Sequence, residues 1–388
     1  MTPTAPDRQA RPRSRRHFLF GLAASSLAVA LAGCQMDRGP YRPVRPPPPI
    51  GGTVPSEERN RVALIVPLTG ADGAVGQSIA NAANLALLDS GDRTLRLTIY
   101  NSAGGAEAAA AKAIAEGSGL ILGPLLADEV RGAAPVARRA GVPLIAFSND
   151  EGVAGNGVYI LGFTPNQSID RVVGLARQKG LARFGALVPT GLYGQRAAQA
   201  MLGSVRERGG RMVALETFNR TAAGVRSAAA SLSAKGATDA VLIADAWRIA
   251  AVAAPSLKSG GRLMGTELWG TDHVLGASPA LRGAWYAAAP EARFGQLAAR
   301  YKARYGKAPY RIASLGYDAV LLAVRSSRDW PISERFPVAA LRDRDGFAGV
   351  DGIFRFDRRG VAIRALEVRQ VTATGTMVIS PSAKVFGD

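Results

Sequence analysis

Val62-Ala63-Leu64-Ile65-Val66-Pro67-Leu68-Thr69-Gly70 is the stretch from which the fold can be read. Five apolar residues in a row, stopped by a proline, suit a strand covered on both faces, because such a strand has no side that meets water. A segment with small and apolar residues at helical spacing follows, Gln77 to Leu88, and then a second strand, Leu95 to Tyr100. The alternation continues with a helix over Ala106–Glu116 and a strand, Leu120–Leu122, halted by Gly123-Pro124. Next come a helix over Asp128–Ala140, closed by Gly141, and strands Val142–Ala146 and Val158–Leu161.

The rhythm then starts again. A helix over Gln167–Lys179 leads to strand Phe184–Val188, which also ends on a proline, Pro189. Helix Gly194–Arg208, strand Met212–Thr217, helix Ala222–Ala234, strand Ala240–Ala244, helix Trp247–Leu257 and strand Gly261–Met264 follow. Strands separated by helices pair in parallel, with the helices packed on the sheet faces. Two such series predict an α/β protein with two doubly wound, Rossmann-like lobes, over 61–163 and 164–290. Residues 291–388 hold two helices, Glu291–Tyr305 and Pro309–Ser326, which cross a hinge and mostly return to the first lobe. They end in an antiparallel C-terminal hairpin, Gly352–Phe356 against Ala365–Val371, around the turn Asp357–Gly360.

Composition removes several kinds of chemistry. The chain of 388 residues has one cysteine, Cys34, and two histidines, His17 and His273. A Ser-His-Asp or Cys-His nucleophile needs a histidine base, and His273 stands in a polar stretch without a nucleophile motif. Zinc needs three or four ligands at set spacings, which this sequence lacks. No enzyme activity, cofactor or metal is expected. Gly117-Ser118-Gly119 with Gly123 is no dinucleotide loop, since it precedes a strand where that fingerprint follows one.

The N-terminal segment carries two targeting signals. Ser14-Arg15-Arg16-His17-Phe18-Leu19 reads as a twin-arginine export motif and Leu31-Ala32-Gly33-Cys34 as a lipobox, with a short apolar run between them. Residues 1–33 are expected to be removed and Cys34 to carry lipid. Residues 34–60 hold seven prolines and form a tether, which in polyproline II form, at ~3.1 Å per residue, reaches up to roughly 80 Å. The formal net charge is +18; nine arginines against four acids leave +5 in the first 60 residues and +13 beyond. That excess suits either attraction to an anionic surface or basic residues spread over solvated helices, and the second is favoured. Nucleic acid is not an expected partner.

Several stretches together resemble a known family. Val62–Gly70 with Gly76-Gln77, Leu122-Gly123-Pro124-Leu125, Val142–Ile145, Tyr193-Gly194, Ser314–Ala319, and Phe347 to Gly360 with its spaced glycines are similar to type I periplasmic binding proteins of the leucine/amide-binding group. The resemblance covers roughly residues 60–375 and implies two lobes joined by a hinge. Ile145–Asp150 with Val153–Gly155 and Gly162-Phe163 looks like a lipoprotein branch similar to the C-terminal domain of penicillin-binding-protein activators.

Ligands of open α/β sheets sit at the C-terminal ends of the strands, so the facing loops supply the candidate ligand-binding residues. These are Thr69, Gly70, Leu125, Ser148 and Asn149 in the first lobe and Tyr193, Asp245 and Trp269 in the second, with the Glu267–Trp269 loop nearby. Six of these have a structural alternative: Thr69-Gly70 a turn, Ser148 and Asn149 loop caps, Asp245 the N-cap of the helix at Trp247, and Trp269 a core residue; Tyr193 is the leading ligand contact. The resemblance implies a serine hydroxyl after the Gly-Pro turn for an amino-acid carboxylate; here Ala127 stands there, followed by Asp128 and Glu129.

The expected role is therefore a non-enzymatic adaptor acting on a peptidoglycan synthase. It is held to a membrane through lipid on Cys34, facing the periplasm. Gln35 in place of Asp points to the outer membrane if the source is Gram-negative. The alternative is the substrate-binding protein of an ABC permease, capturing an amino acid, amide or similar small polar solute between the lobes.

Overall fold

The computed structural model describes residues 59–258, 261–271 and 274–387. The export signal, Cys34, most of the tether and His273 lie outside these residues. The first lobe starts with β1 (Asn60–Val66), α1 (Gly73–Ser90), β2 (Leu95–Asn101), α2 (Ala106–Ala115) and β3 (Ser118–Leu122). It continues with α3 (Ala127–Ala140), β4 (Leu144–Ala146) and β5 (Val158–Ile160). Its sheet is wholly parallel, in the order β2-β1-β3-β4-β5. The apolar run of β1 is divided between the two faces of the sheet. Val62, Leu64 and Val66 pack with α1, while Ala63 and Ile65 pack with α2 and α3. All five are fully buried, as a strand covered on both sides requires.

The chain crosses to the second lobe after β5. There α4 (Pro165–Gln178), β6 (Arg183–Pro189), α5 (Leu192–Glu207), β7 (Arg211–Phe218) and α6 (Ala222–Ala234) are followed by β8 (Ala240–Ile243), α7 (Trp247–Ala253), β9 (Arg262–Gly265) and β10 (Trp285–Ala288). It then returns. Helices α8 (Ala292–Tyr305) and α9 (Ala313–Ser327) pack in the first-lobe core with α1. Next come β11 (Phe347–Gly349), β12 (Gly352–Phe356) and β13 (Ala362–Arg364), a separate three-stranded antiparallel sheet whose phenylalanines join the same core.

An antiparallel C-terminal hairpin forms about the expected turn at Asp357–Gly360, but its second strand is not the one expected. β12 pairs with β13, Phe354 opposite Arg364 and Phe356 opposite Ala362. The segment expected as its partner instead crosses the hinge a third time. It forms β14 (Glu367–Thr372), antiparallel to β10, followed by β15 (Gly375–Ser380), and the second sheet runs β15-β14-β10-β9-β8-β6-β7. Burial explains the change, since Leu366 and Val368 fill the second-lobe core beside α4 and α5. The part returning to the first lobe thus stops near Arg364.

The two lobes share one local device. In each, the first strand runs into a proline and is followed by a helix that folds back against it. A Cβ on Gly76 would lie 1.7 Å from the Pro67 carbonyl oxygen, and one on Gly194 would lie 1.6 Å from that of Pro189. Only glycine lets helix and strand end approach so closely. Both turns thereby place their loops at the C-terminal edge of a sheet, on the interlobe side.

Candidate functional site

Those loop-bearing edges enclose a cavity of about 310 Å³ between the lobes. The first lobe contributes Leu125 and Leu126 from the end of β3, Phe147 and Asn149 from the end of β4, and Arg311 and Ile312 from the turn before α9. Phe163 comes from the crossing after β5. The second lobe contributes Glu267, Leu268 and Gly270 after β9, and Ala288 and Ala289 at the end of β10. The walls are therefore mostly apolar, with one cation and one carboxyl among them. A site of this kind holds an apolar body and orients it by a few polar contacts.

Arg311 is largely enclosed. Its Nη1 lies 2.7 Å from Asp351 Oδ1 and donates to Ser314 Oγ at 3.0 Å. Its guanidinium stands 4.2 Å from the centre of the Phe294 ring, a cation–π contact that fixes its plane. Glu267 is held by two hydroxyls, with Ser168 donating to Oε2 and Tyr193 donating to Oε1 at 3.0 Å. Burial pushes the Glu267 carboxyl above its ordinary range, against the pull of those two donors. Burial and the adjoining Glu267 push the Tyr193 hydroxyl well up in turn.

Of the residues expected to bind ligand, Leu125 and Asn149 line the cavity. Tyr193 does not line it and reaches it only through Glu267. Ser148 is buried and its Oγ accepts from the Asp150 N–H at 3.1 Å, so it shapes the loop. Thr69 and Gly70 form an exposed turn, where Thr69 Oγ1 accepts from Asn101 Nδ2 at 3.1 Å, and neither is among the residues that line the cavity. Asp245 accepts from Arg220 Nε at 2.7 Å and from the Ala246 N–H at 2.8 Å. Trp269 is fully buried in the second-lobe core, its Nε1 donating to the Asp245 carbonyl at 2.9 Å. Asp245 and Trp269 thus brace the loop that presents Glu267 and do not line the cavity.

The two acids after Ala127 are likewise not among the residues that line the cavity. Glu129 Oε2 accepts from the Leu126 N–H at 3.1 Å at the start of α3, and the exposed Asp128 pairs with Arg131 at 2.6 Å. Sequence reasoning missed Arg311 and gave Glu267 only as a neighbour. Arg311 falls just ahead of α9, in a stretch read as helix, and a single arginine there carries no spacing signal.

Comparison with known proteins agrees with the two-lobed fold. A family model described as periplasmic binding protein matches residues 60–376. A putative branched-chain amino acid ABC transporter protein from Rhodospirillum rubrum superposes with a TM-score of 0.72 at 22% identity, covering 83% of this chain and 100% of that one. A solute binding protein from Rhodopseudomonas palustris, solved with 3,4-dihydroxybenzoic acid, gives 0.66 at 20% identity over 85% and 98%. A branched-chain amino acid transporter substrate binding protein from Streptococcus pneumoniae, solved with isoleucine, gives 0.62 at 16% over 83% and 100%. An uncharacterized protein of Rickettsia prowazekii is 25% identical over 142 residues, which is 36% of this chain, and the chain spans 38% of that relative's length.

Proposed function

This chain belongs to the periplasmic binding protein family, and from that premise we propose that it captures a small solute between its lobes for an ABC permease. The observation that carries this reading is the interlobe cavity, apolar over most of its wall, with Arg311 and Glu267 as its ionisable groups. It suits a compact molecule with an apolar body and a charged end. Aliphatic amino acids and aromatic carboxylates have that form, and isoleucine and 3,4-dihydroxybenzoic acid occupy two proteins of similar fold. The missing hydroxyl at Ala127 weighs against one known way of holding a carboxylate. The Arg311 guanidinium in the cavity wall supplies another.

The role as an adaptor for a peptidoglycan synthase has less behind it, because the similar structures named above are transport binding proteins and the cavity has the size of a small-molecule site. No catalytic step is proposed. Export, removal of residues 1–33 and acylation of Cys34 belong to the same proposal, with the tether holding the lobes off the membrane. Outer-membrane placement is no part of it.

A thermal-shift screen of the purified protein tests the reading. Aliphatic amino acids, aromatic carboxylates and muropeptides form the panel. A ligand at about 100 times its Kd adds about 2.7 kcal/mol of stability. A shift with an amino acid or aromatic acid supports capture. Silence across the panel, together with co-purification of a peptidoglycan synthase, restores the adaptor. Intact mass of the membrane-extracted protein tests Cys34, since an unmodified thiol overturns acylation.

A further inference from the structure

Arg311 belongs to a buried group of four charges behind the cavity. Asp351, wholly buried, faces Arg311 at 2.7 Å, and neither of its oxygens has an aligned hydrogen bond. Asp318, on α9, accepts from the Val350 N–H at 2.7 Å and the Asp351 N–H at 3.3 Å. Arg364, on β13, is 6% exposed and donates from Nη2 to the Leu161 carbonyl at 2.6 Å, while its Nε and Nη1 have no hydrogen-bond partner among the described residues. Two guanidiniums and two carboxylates thus stand together, Asp318, Asp351 and Arg364 buried and Arg311 at the cavity wall. Other charges near Asp318 are Arg325 and Arg328, which line a second cavity with it, and Arg293 of α8, which donates to the Gly349 carbonyl at 3.1 Å. The hydroxyl of Tyr317, the preceding residue, donates to Asp89 at 2.8 Å.

We infer that Arg311 reads the carboxylate of the captured solute, and that capture is accompanied by uptake of one proton by the Asp318–Asp351 pair. The inference rests on the interlobe capture proposed above. Among the described residues the polar contacts of Arg311 are both made by Nη1, and the residue lines the cavity. With both aspartates ionised the group of four is neutral. A ligand carboxylate against Arg311 makes it −1 in a low-dielectric setting, where an uncompensated charge is expensive. An acid in bulk solution, hydronium or the protonated buffer, then gives up a proton to one carboxylate oxygen of the pair: one O–H bond forms there, the donor's bond to that proton breaks, and the donor's conjugate base stays in solution. Asp318 is the readier acceptor, since burial and the adjoining Asp351 push its carboxyl up to about 7.

Calorimetry on the purified protein tests this with two probe pairs, benzoate against benzamide and L-leucine against L-leucinamide, in phosphate and in Tris. We expect affinity for the acids to fall three- to tenfold between about pH 6 and pH 8, with a binding enthalpy that differs between buffers. Benzamide shows neither effect. Arg311→Gln loses about tenfold or more in affinity for the acid and keeps benzamide. Asp318→Asn keeps acid binding and loses both the pH slope and the buffer dependence. Asp351→Asn is the second variant if the first does not fold by circular dichroism. Acid binding that is flat with pH and indifferent to buffer, or unchanged in Arg311→Gln, overturns the inference and leaves the capture reading standing. Silence of both pairs in the unaltered protein overturns capture itself, and the inference with it.

Discussion

Asp150 and Arg196 join the two lobes directly. Arg196, on α5 of the second lobe, donates from Nε to Asp150 Oδ1 at 3.0 Å across the cleft. On the other side Arg131 of α3, in the first lobe, donates from Nη2 to Oδ2 at 2.8 Å. The carboxylate is 2% exposed, while the two arginines are 36% and 48% exposed. A buried anion between two half-solvated cations is the more sensitive partner, because the cations reach water once it is gone.

Replacing Asp150 by Asn therefore loosens the lobes more than it unfolds them. Stability falls by about 1–3 kcal/mol, and the radius of gyration of the ligand-free protein rises in small-angle scattering. An unchanged scattering profile with full loss of stability contradicts a latch and makes Asp150 a fold residue only.

The glycines behind the two first loops tolerate no side chain. In Gly76→Ala the new methyl would meet the Pro67 carbonyl oxygen at 1.7 Å, and in Gly194→Ala that of Pro189 at 1.6 Å. Backbone has no rotamer to yield with, so helix and strand end must move apart. Each substitution is expected to cost about 3 kcal/mol, read by chemical denaturation.

Trp269 and Asn149 separate core from cavity. Trp269→Ala empties a fully buried site and is expected to cost ~3–5 kcal/mol. Asn149→Ala, at an exposed position on the cavity wall, leaves stability within about 0.5 kcal/mol and changes ligand Kd. Denaturation and titration on the same two variants read the contrast.

Asp318 gives stability a pH dependence. Its carboxyl titrates higher in the folded chain, at about 7, than its ordinary 3.8. The folded state therefore holds more protons than the unfolded state between those values. Its contribution to stability is greatest below about 4 and is lost as the pH rises through about 7, with a slope of at most about 1.4 kcal/mol per pH unit. Asp318→Asn flattens that part of the profile, and a slope unchanged in the variant means that another group causes it.

Both lobes were legible because each is built from local patterns. The apolar run ending at Pro67 and its counterpart ending at Pro189 declare buried strands, and the helices between them declare parallel pairing. The close approaches at Gly76 and Gly194 were visible as motifs, though their cause was not, because the carbonyl oxygens that forbid a Cβ lie nine and five residues earlier in the chain. Sequence was also enough to bring Leu125 and Asn149 to the strand ends that form the cleft.

What only the tertiary structure decided are matters of long-range contact. The assignment of Leu366 and Val368 to the second-lobe core, which draws β14 away from β12, depends on a sheet completed far upstream. Trp269 carries no mark in the sequence that separates a core indole from a ligand platform; the Asp245 carbonyl and the surrounding core settle it. Arg311, Asp318, Asp351 and Arg364 are brought together from the turn before a helix, that helix, a tight turn and a strand. Periodicity reports which face of one element is buried, and it carries no information about which charges from separate elements will be buried against each other.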